Sequence, residues 1–261
     1  MKRSLKTRLQ NDEPVFGTFI SIGHTLTTEI VAKAGFDWVL IDLEHGLSSE
    51  QDVLQQLQAI EHTGVEAVIR VESSAKQRIH KVLDSGAHGI MCPHVKDAAE
   101  AASVVAAMRY APHGVRGVAK MVRASGFGLR FQEYYHQTAA ELLGVIQIEC
   151  VEALDHLDAI AATEGVDVLF IGPADLSMAL GIFGQLDHPK FLEAEAAIIA
   201  AAQRHGKAVG FLLFDNEHYQ KYYDKGVRFF AAGTDALFLR NAAMSTAARL
   251  NELKAASAVT A

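Results

Sequence analysis

The chain has few cysteines and no long apolar runs, and each of these scarcities excludes a class of protein. The 261 residues include only two cysteines, Cys92 and Cys150, which lie far apart within apolar runs. We interpret both as core thiols, because two isolated cysteines provide neither a disulfide framework nor a cysteine-based metal site. The amino terminus lacks the apolar core of a signal peptide, and no apolar run reaches the ~18 residues that span a bilayer. The sequence therefore predicts a cytoplasmic protein without a membrane segment.

An excess of positive charge is also lacking. The chain has 24 Lys and Arg against 31 Asp and Glu, which gives a formal net charge of -7, and its basic residues form no cluster. This balance argues against nucleic acid and anionic membranes as partners. Hydrophobic residues make up 50% of the chain and charged residues 21%. That composition predicts a sizeable core and excludes a disordered chain.

Short apolar segments alternate with segments of helical periodicity along the whole chain. Strict alternation of this kind predicts parallel strands joined by right-handed crossovers. Eight such units in ~250 residues match a closed (β/α)₈ barrel, so we expect residues 1–261 to form a single barrel domain. An open doubly wound sheet is less favoured, because no G-x-G-x-x-G motif follows the first strand. The predicted strands cover residues 15–21, 36–42, 66–71, 89–93, 143–149, 166–171, 208–213 and 228–233.

Ionisable and polar side chains follow several of these strands. In a barrel the carboxyl ends of the strands share one rim, where active sites lie. His45 has the only ordinary pKa near neutrality among them, so it is the candidate general base or acid. The alternative is purely structural: residues 41–46 would only cap the helix that begins near Ser49. The full set is Asp42, Glu44, His45, Arg70, Gln147, Glu149 and Asp175.

Glu149 and Asp175 follow neighbouring strands, so their carboxylates can converge. Two hard oxygen ligands suit a divalent ion such as Mg²⁺, Mn²⁺ or Co²⁺, although an acid–base pair of the glycosidase kind is an alternative. Arg70 favours the ion, because it suits an anionic substrate, but it could also form a structural ion pair. With His45 as the base, this set predicts enolate formation on a small 2-oxo acid, as in reversible aldol cleavage.

At these residues the sequence resembles the HpcH/HpaI aldolases, which are metal-dependent (class II) pyruvate aldolases. The similarity is carried by Ile-Asp-Leu-Glu-His-Gly at 41–46, Gln-Ile-Glu at 147–149 and Phe-Ile-Gly-Pro-Ala-Asp-Leu-Ser at 170–177. It implies a (β/α)₈ barrel of the phosphoenolpyruvate/pyruvate superfamily, assembled as a hexamer (a trimer of dimers) with an exchanged carboxyl-terminal helix. It also implies that pyruvate or hydroxypyruvate reacts with an aldehyde. Decarboxylation of oxaloacetate is the alternative use of the same site.

The resemblance further implies a role for each site residue. His45 would be the base, with Asp42 as the partner that orients its ring, and Arg70 would stabilise the enolate. The ion would be held by Glu149 and Asp175. Asp84 would reach a neighbouring subunit and raise the basicity of its His45, although the residues alone show only a carboxylate at a helix end. The implied substrate contacts are Arg70, Gln147, Ala174, Asp175 and Leu212.

The sequence departs from the family pattern at two places. Residues 118–123 are shorter than usual and include Lys120, and Cys150 stands where threonine is usual. The long segment 112–131 is expected to cover the aldehyde side of the site, so the acceptor aldehyde stays open. A Schiff-base aldolase is disfavoured because no predicted strand ends in lysine. The complete set of candidate residues argues against a non-catalytic binding protein.

Overall fold

Eight parallel strands close into a barrel in the order β1 to β8, with β8 paired to β1. The computed structural model describes residues 3–213 and 217–259. This architecture confirms the predicted (β/α)₈ barrel. The strands are β1 Val15–Ile20, β2 Trp38–Asp42, β3 Glu66–Arg70, β4 Gly89–Cys92, β5 Leu143–Ile148, β6 Val168–Ile171, β7 Ala208–Leu213 and β8 Val227–Thr234.

Helices connect successive strands around the barrel. Within the described residues they are α1 Leu5–Gln10, α2 Thr25–Ala32, α3 Glu50–Ile60, α4 Lys76–Asp84, α5 Ala98–Met108, α6 Phe131–His136, α7 Val151–Leu154, α8 Leu157–Ala162, α9 Pro173–Ala179, α10 Pro189–Arg204, α11 Tyr219–Asp224 and α12 Asp235–Val259.

Three helices differ from the sequence prediction. The apolar periodicity of residues 153–162 predicts one helix, but the structure divides it into α7 and α8. The glycines and prolines that follow β6 predict an irregular segment, but α9 lies there. Pro173 is the first residue of α9, where its fixed φ favours a helix start. The sequence pattern predicts a closing helix over residues 244–256, whereas the helix in the structure begins at Asp235. It starts directly after β8, where the Thr234 hydroxyl oxygen accepts the backbone N–H of Leu237 at 3.0 Å and so caps the first turn. The Asp235 carboxylate accepts the backbone N–H groups of Ala236 and Ser21.

Alternate side chains of each strand enter two different cores. On β2, Leu40 belongs to the cluster inside the barrel, whereas Val39 and Ile41 pack in the cluster beneath the helices. Strand side chains alternate with period two, so Asp42 faces the interior at the end of β2. The same alternation carries Arg70 inward beyond Val68, as the interior cluster includes Val68. The pattern of the strands therefore determines which polar residues reach the rim.

The long segment 112–131 lies at the end of the barrel opposite the rim. It follows α5 and precedes β5, so it belongs to the side where helices return to the amino ends of strands. Arg123 donates to the carbonyl oxygen of Ser85 at 3.0 Å and pairs with the Glu61 carboxylate at 3.0 Å. Both partners follow the carboxyl ends of helices. The prediction that this segment covers the aldehyde side is therefore wrong for the rim of its own chain.

The structure also bears on the predictions made for the two cysteines and for a membrane segment. Cys92 is buried, as predicted, while Cys150 is only half-buried, and both are free thiols. In the described parts of the chain, none of the helices combines the length and the apolar character needed to cross a bilayer.

Candidate active site

A buried ion pair joins the ends of β2 and β3. Asp42 and Arg70 are paired in register and are 2% and 6% exposed. Nε and Nη2 of Arg70 donate to the two oxygens of the Asp42 carboxylate at 2.8 and 2.7 Å. Burial alone would lower the pKa of Arg70, but Asp42, Glu44 and Glu149 hold this pKa above its ordinary value. Arg70 is therefore a permanent positive charge, and its bidentate contact with Asp42 fixes its position.

Asp42 also shapes the turn that carries His45. Its Oδ1 accepts the backbone N–H groups of Glu44 and His45 at 3.1 and 3.3 Å. A Cβ at Gly46 would lie 2.2 Å from the Asp42 carbonyl oxygen, so the turn requires glycine. In the described structure Asp42 contacts Arg70 and this backbone, and none of its described contacts reaches the His45 ring. The expected contact between Asp42 and the imidazole is therefore replaced by support of the turn.

Glu44 connects three basic side chains at the rim. One of its oxygens lies 2.9 Å from Nη1 of Arg70 and 3.7 Å from Nε2 of His45. Its other oxygen lies 3.1 Å from Nε2 of His94. The Glu44 side chain is 10% exposed, whereas that of His45 is 65% exposed. The His45 imidazole therefore stands on the solvent side of the rim, where a substrate can reach it.

Glu149 is a carboxylate of the cluster that is as deeply buried as Asp42. It is 2% exposed, one oxygen accepts the His94 backbone N–H at 2.8 Å, and the other accepts a short hydrogen bond from the Gln147 amide. Burial first, and then the negative charges of Glu44 and Asp175, raise the pKa of Glu149 against the opposing contacts of His94, and the net result is a pKa of about 7. The site thus contains a carboxylate that lacks a sufficient countercharge.

Glycine allows the chain to pass beside this carboxylate at the start of α9. A Cβ on Gly172 would lie 2.6 Å from Oε2 of Glu149 and 2.8 Å from Nε2 of Gln147. Ala174 is exposed and Asp175 half-buried in the first helical turn. No side chain caps this turn, so the backbone N–H groups of Ala174 and Asp175 have no side-chain cap as a partner.

The donor atoms at the rim fit a divalent ion. Glu44, His94 and Glu149 each offer one ligand atom, and these atoms lie within 4.8 Å of one another. Within the described residues, Oε1 of Gln147 is buried without a hydrogen-bond partner. A cation among these groups would offset the burial of Glu149 and compensate its charge. The chemistry of the donor set therefore supports the predicted metal centre.

His94 was missed by the sequence prediction. It lies just beyond the end of β4, which is Cys92, and its φ of 55° is in the left-handed region that few residues other than glycine adopt. The rule that identified Asp42, Arg70 and Glu149, namely ionisable residues at strand ends, would have identified His94 as well. The sequence prediction treats residues 89–93 only as a buried strand, so it does not include His94.

Two predicted site residues lie in different places. Leu212 is half-buried and packs against the interior cluster of the barrel, where it can form an apolar wall. Asp84 ends α4, and its carboxylate accepts a hydrogen bond of 2.7 Å from Nη2 of Arg116. Arg116 also donates to the Tyr134 hydroxyl at 2.9 Å. The described contacts of Asp84 are thus made at the carboxyl end of a helix, away from the rim of its own chain.

A barrel that gathers a fixed cation, an imidazole and buried carboxylates at the carboxyl ends of its strands is built as an enzyme. A model of the HpcH/HpaI aldolase/citrate lyase family matches residues 16–242. The chain belongs to this family, which confirms the resemblance seen in the sequence.

Relatives of known activity match nearly the whole chain. The hydroxypyruvate/pyruvate aldolase of Paraburkholderia phytofirmans is 40% identical over 244 residues, which cover 91% of this chain and 94% of the relative. The 4-hydroxy-2-oxo-heptane-1,7-dioate aldolase of Salmonella dublin is 36% identical over 254 residues, with 97% of each chain covered. A crystal structure of a family protein from Burkholderia cenocepacia has a TM-score of 0.90 at 36% identity and covers 95% of this chain and 98% of that chain. The predicted enzyme class, a carbon–carbon lyase of the aldolase type, is thereby confirmed.

Proposed function

We propose that this chain is a divalent-metal-dependent aldolase that converts 4-hydroxy-2-oxo acids reversibly into pyruvate, or hydroxypyruvate, and an aldehyde. One observation supports this most strongly. The Arg70 guanidinium, held by Asp42 and Glu44, shares a rim with the buried Glu149 carboxylate and the exposed His45 imidazole. The rim thus combines a fixed positive charge, a place for an ion and a group that can move a proton.

Glu149 and Asp175 are proposed as oxygen ligands of Mg²⁺, Mn²⁺ or Co²⁺. When bound, such an ion polarises the oxo group of the substrate and makes the adjacent carbon more acidic. Glu149 must be ionised to serve as a ligand, so ion binding displaces its proton. Gln147 keeps one oxygen of Glu149 in place through its amide.

Arg70 is suited to stabilise the negative charge that develops on the oxo group. The contacts with Asp42 and Glu44 engage three of its nitrogens, and a guanidinium carries five N–H donors. The remaining donors can face the substrate without any rearrangement. The backbone N–H groups of Ala174 and Asp175 would bind the substrate carboxylate, and Leu212 would contact its apolar side.

His45 is proposed as the proton carrier. In the cleavage direction it removes the proton of the 4-hydroxyl group. The bond between C3 and C4 then breaks, which leaves the aldehyde and an enolate. The proton is afterwards delivered to C3 of the enolate to give pyruvate. An imidazole can both accept and donate a proton, and the exposure of the His45 ring at the rim gives it the access that both transfers need.

We also propose that the active enzyme is an oligomer, a hexamer of three dimers. In this assembly the Asp84 carboxylate would lie beside the His45 imidazole of a second copy. Two observations support this assembly. Asp84 lies at the end of α4, away from its own rim. Helix α12 exposes Leu239, Met244 and Leu250 by 62%, 63% and 60%, and such apolar side chains are normally covered by a partner. A cytoplasmic location stays a prediction of the sequence.

Chelation tests the proposed chemistry. We expect treatment with EDTA to abolish cleavage of 4-hydroxy-2-oxo acids, measured as release of pyruvate, and added Mg²⁺, Mn²⁺ or Co²⁺ to restore it. Condensation assays with pyruvate or hydroxypyruvate and a panel of aldehydes would then identify the acceptor. Cleavage that survives complete chelation would contradict a metal-dependent reaction. Turnover of oxaloacetate far above every cleavage rate would favour the decarboxylase alternative instead.

A further inference from the structure

His94 lies between two carboxylates of the rim. Its Nε2 is 3.1 Å from Oε1 of Glu44, and its Nδ1 is 3.3 Å from Oε1 of Glu149. Its backbone N–H donates to the same Glu149 oxygen at 2.8 Å. The His94 side chain is 56% exposed, so it lies between the buried Glu149 and the solvent.

The backbone at His94 holds the ring in this position. The residue has a φ of 55°. A non-glycine residue in this left-handed region is strained, and it keeps that backbone conformation only where its surroundings enforce it. The hydrogen bond from the His94 backbone N–H to Glu149 is one contact that enforces this conformation. The imidazole is therefore placed beside the carboxylate by the main chain as well as by its own nitrogen atoms.

The spacing of the donor atoms suits joint ligation. Two donors bound to one ion at 2.0–2.2 Å and at right angles lie about 3 Å apart. The Nδ1–Oε1 distance between His94 and Glu149 is 3.3 Å, close to that spacing. The second nitrogen of a metal-bound histidine is usually held by a carboxylate or a carbonyl group, which fixes the ring. Glu44 occupies that position toward Nε2 of His94.

We propose that His94 is a third protein ligand of the ion, binding through Nδ1 beside Glu149, with Glu44 orienting its ring. This inference rests on the proposed function only in placing the ion at Glu149. Carboxylate and water ligands favour Mg²⁺, whereas imidazole favours later transition ions such as Co²⁺. A nitrogen ligand therefore gives this enzyme a stronger preference for Co²⁺ over Mg²⁺ than an all-oxygen site would.

Metal binding by the complete, metal-free protein tests this ligand directly. Calorimetric titrations with CoCl₂ and MgCl₂ would compare the wild type with His94→Gln and His94→Ala, and visible absorption would report the ligands of bound Co²⁺. The matched control is His62→Gln, since His62 is exposed and follows α3 on the side away from the rim. Circular dichroism and thermal unfolding would establish that each variant is folded.

We expect both His94 variants to weaken Co²⁺ binding by at least the ~10–100-fold that a lost partner of a metal site produces. Mg²⁺ binding should weaken less, the Co²⁺ absorption bands should shift, and the control should match the wild type. Unchanged Co²⁺ affinity and absorption in both His94 variants, alongside weakened binding in Glu149→Gln, would overturn the His94 proposal alone. Unchanged binding in Glu149→Gln would overturn the ion site itself, and with it the ligand role of His94. Metal-dependent cleavage is measured in a separate assay. Its loss would contradict the proposed function but would not test the ligand role of His94.

Discussion

At the scale of single residues, the rim holds more negative than positive charge. Asp42 and Glu44 pair with Arg70, which leaves Glu149 with the polar contacts of Gln147 and His94. A buried carboxylate without full compensation either keeps its proton or binds a cation. Burial is the main cause of the raised pKa of Glu149, and the negative charges of Glu44 and Asp175 add to it. The same imbalance is what makes the position attractive to a divalent ion.

Metal-free protein should lose stability as the pH rises from about 4.5 to about 7. Glu149 releases its proton near the ordinary value of 4.5 in the unfolded chain but only at a pKa of about 7 in the fold. Between these values the native state binds more protons than the unfolded state, so the free energy of unfolding falls with increasing pH. The full contribution is roughly 3 kcal/mol, reached above pH ~7. Urea unfolding across this range would measure it, with Glu149→Gln as the variant that should flatten the slope; an equal slope in both proteins would contradict the assignment.

Gly172 is the residue whose replacement should damage the site most selectively. The Cβ of Gly172→Ala would lie 2.6 Å from Oε2 of Glu149, so the carboxylate would have to move. We expect kcat/KM for cleavage to fall about 10–100-fold, as when a supporting group of a metal site is lost. Gly117→Ala is the matched control, because no atom lies within 4 Å of a Cβ there and its φ is not left-handed. Equal kcat/KM in the two variants would show that the close approach at Gly172 has no functional effect.

At the scale of helices and strands, periodicity predicted most of the site. The inward face of β2 through Leu40 leads to Asp42, and that of β3 through Val68 leads to Arg70. Strand order and register then follow from the barrel, and they place both residues side by side. The sequence could not show that Asp42 contacts Arg70 instead of the His45 ring. That outcome depends on side-chain directions in a tight turn, which local patterns do not specify.

Other elements were misread for physical reasons that differ from one to the next. Helix α9 was missed because its Gly-Pro start was read only as a loop signal, although proline also favours the first turn of a helix. The side chain of His94 depends on a left-handed backbone that no sequence pattern announces. The error over segment 112–131 could have been avoided. The segment lies between α5 and β5, and a connection from a helix to the next strand lies at the amino ends of the strands.

The folded position of segment 112–131 should depend on one buried side chain, that of Arg116. The Arg116 side chain is fully buried, donates to Asp84 and Tyr134, and lies over the Tyr110 ring. Arg116→Ala removes these contacts, so we expect the free energy of unfolding to fall by more than about 2 kcal/mol in urea titrations and cleavage by protease within the segment to accelerate. Arg130→Ala, at an exposed arginine of the same segment, should behave like the wild type. Similar stability of the two variants would argue against an anchoring role.

At the scale of the whole molecule, the proposed assembly predicts that two inactive variants repair each other. His45→Ala lacks the base and Asp84→Asn lacks the proposed partner, so each alone should have little activity. In symmetric oligomers mixed from equal amounts by unfolding and refolding together, about a quarter of the sites would combine an intact His45 with an intact Asp84 of another copy. We therefore expect cleavage activity to recover to roughly that fraction of the wild type. Mixed oligomers that stay inactive would show that Asp84 does not act across subunits.

Exchange of the methyl protons of pyruvate in D₂O tests the central claim most directly, because it reports enolate formation without any need to know the aldehyde. Proton NMR should show exchange with the wild type and a divalent ion, no exchange after EDTA treatment, and recovery when the ion is returned. His45→Ala and Glu149→Gln should both lose it, whereas the surface variant His62→Gln should keep it. Exchange that continues without any divalent ion, or at an unchanged rate in His45→Ala, would contradict the account of this site as an ion-dependent enolate centre with His45 as its base.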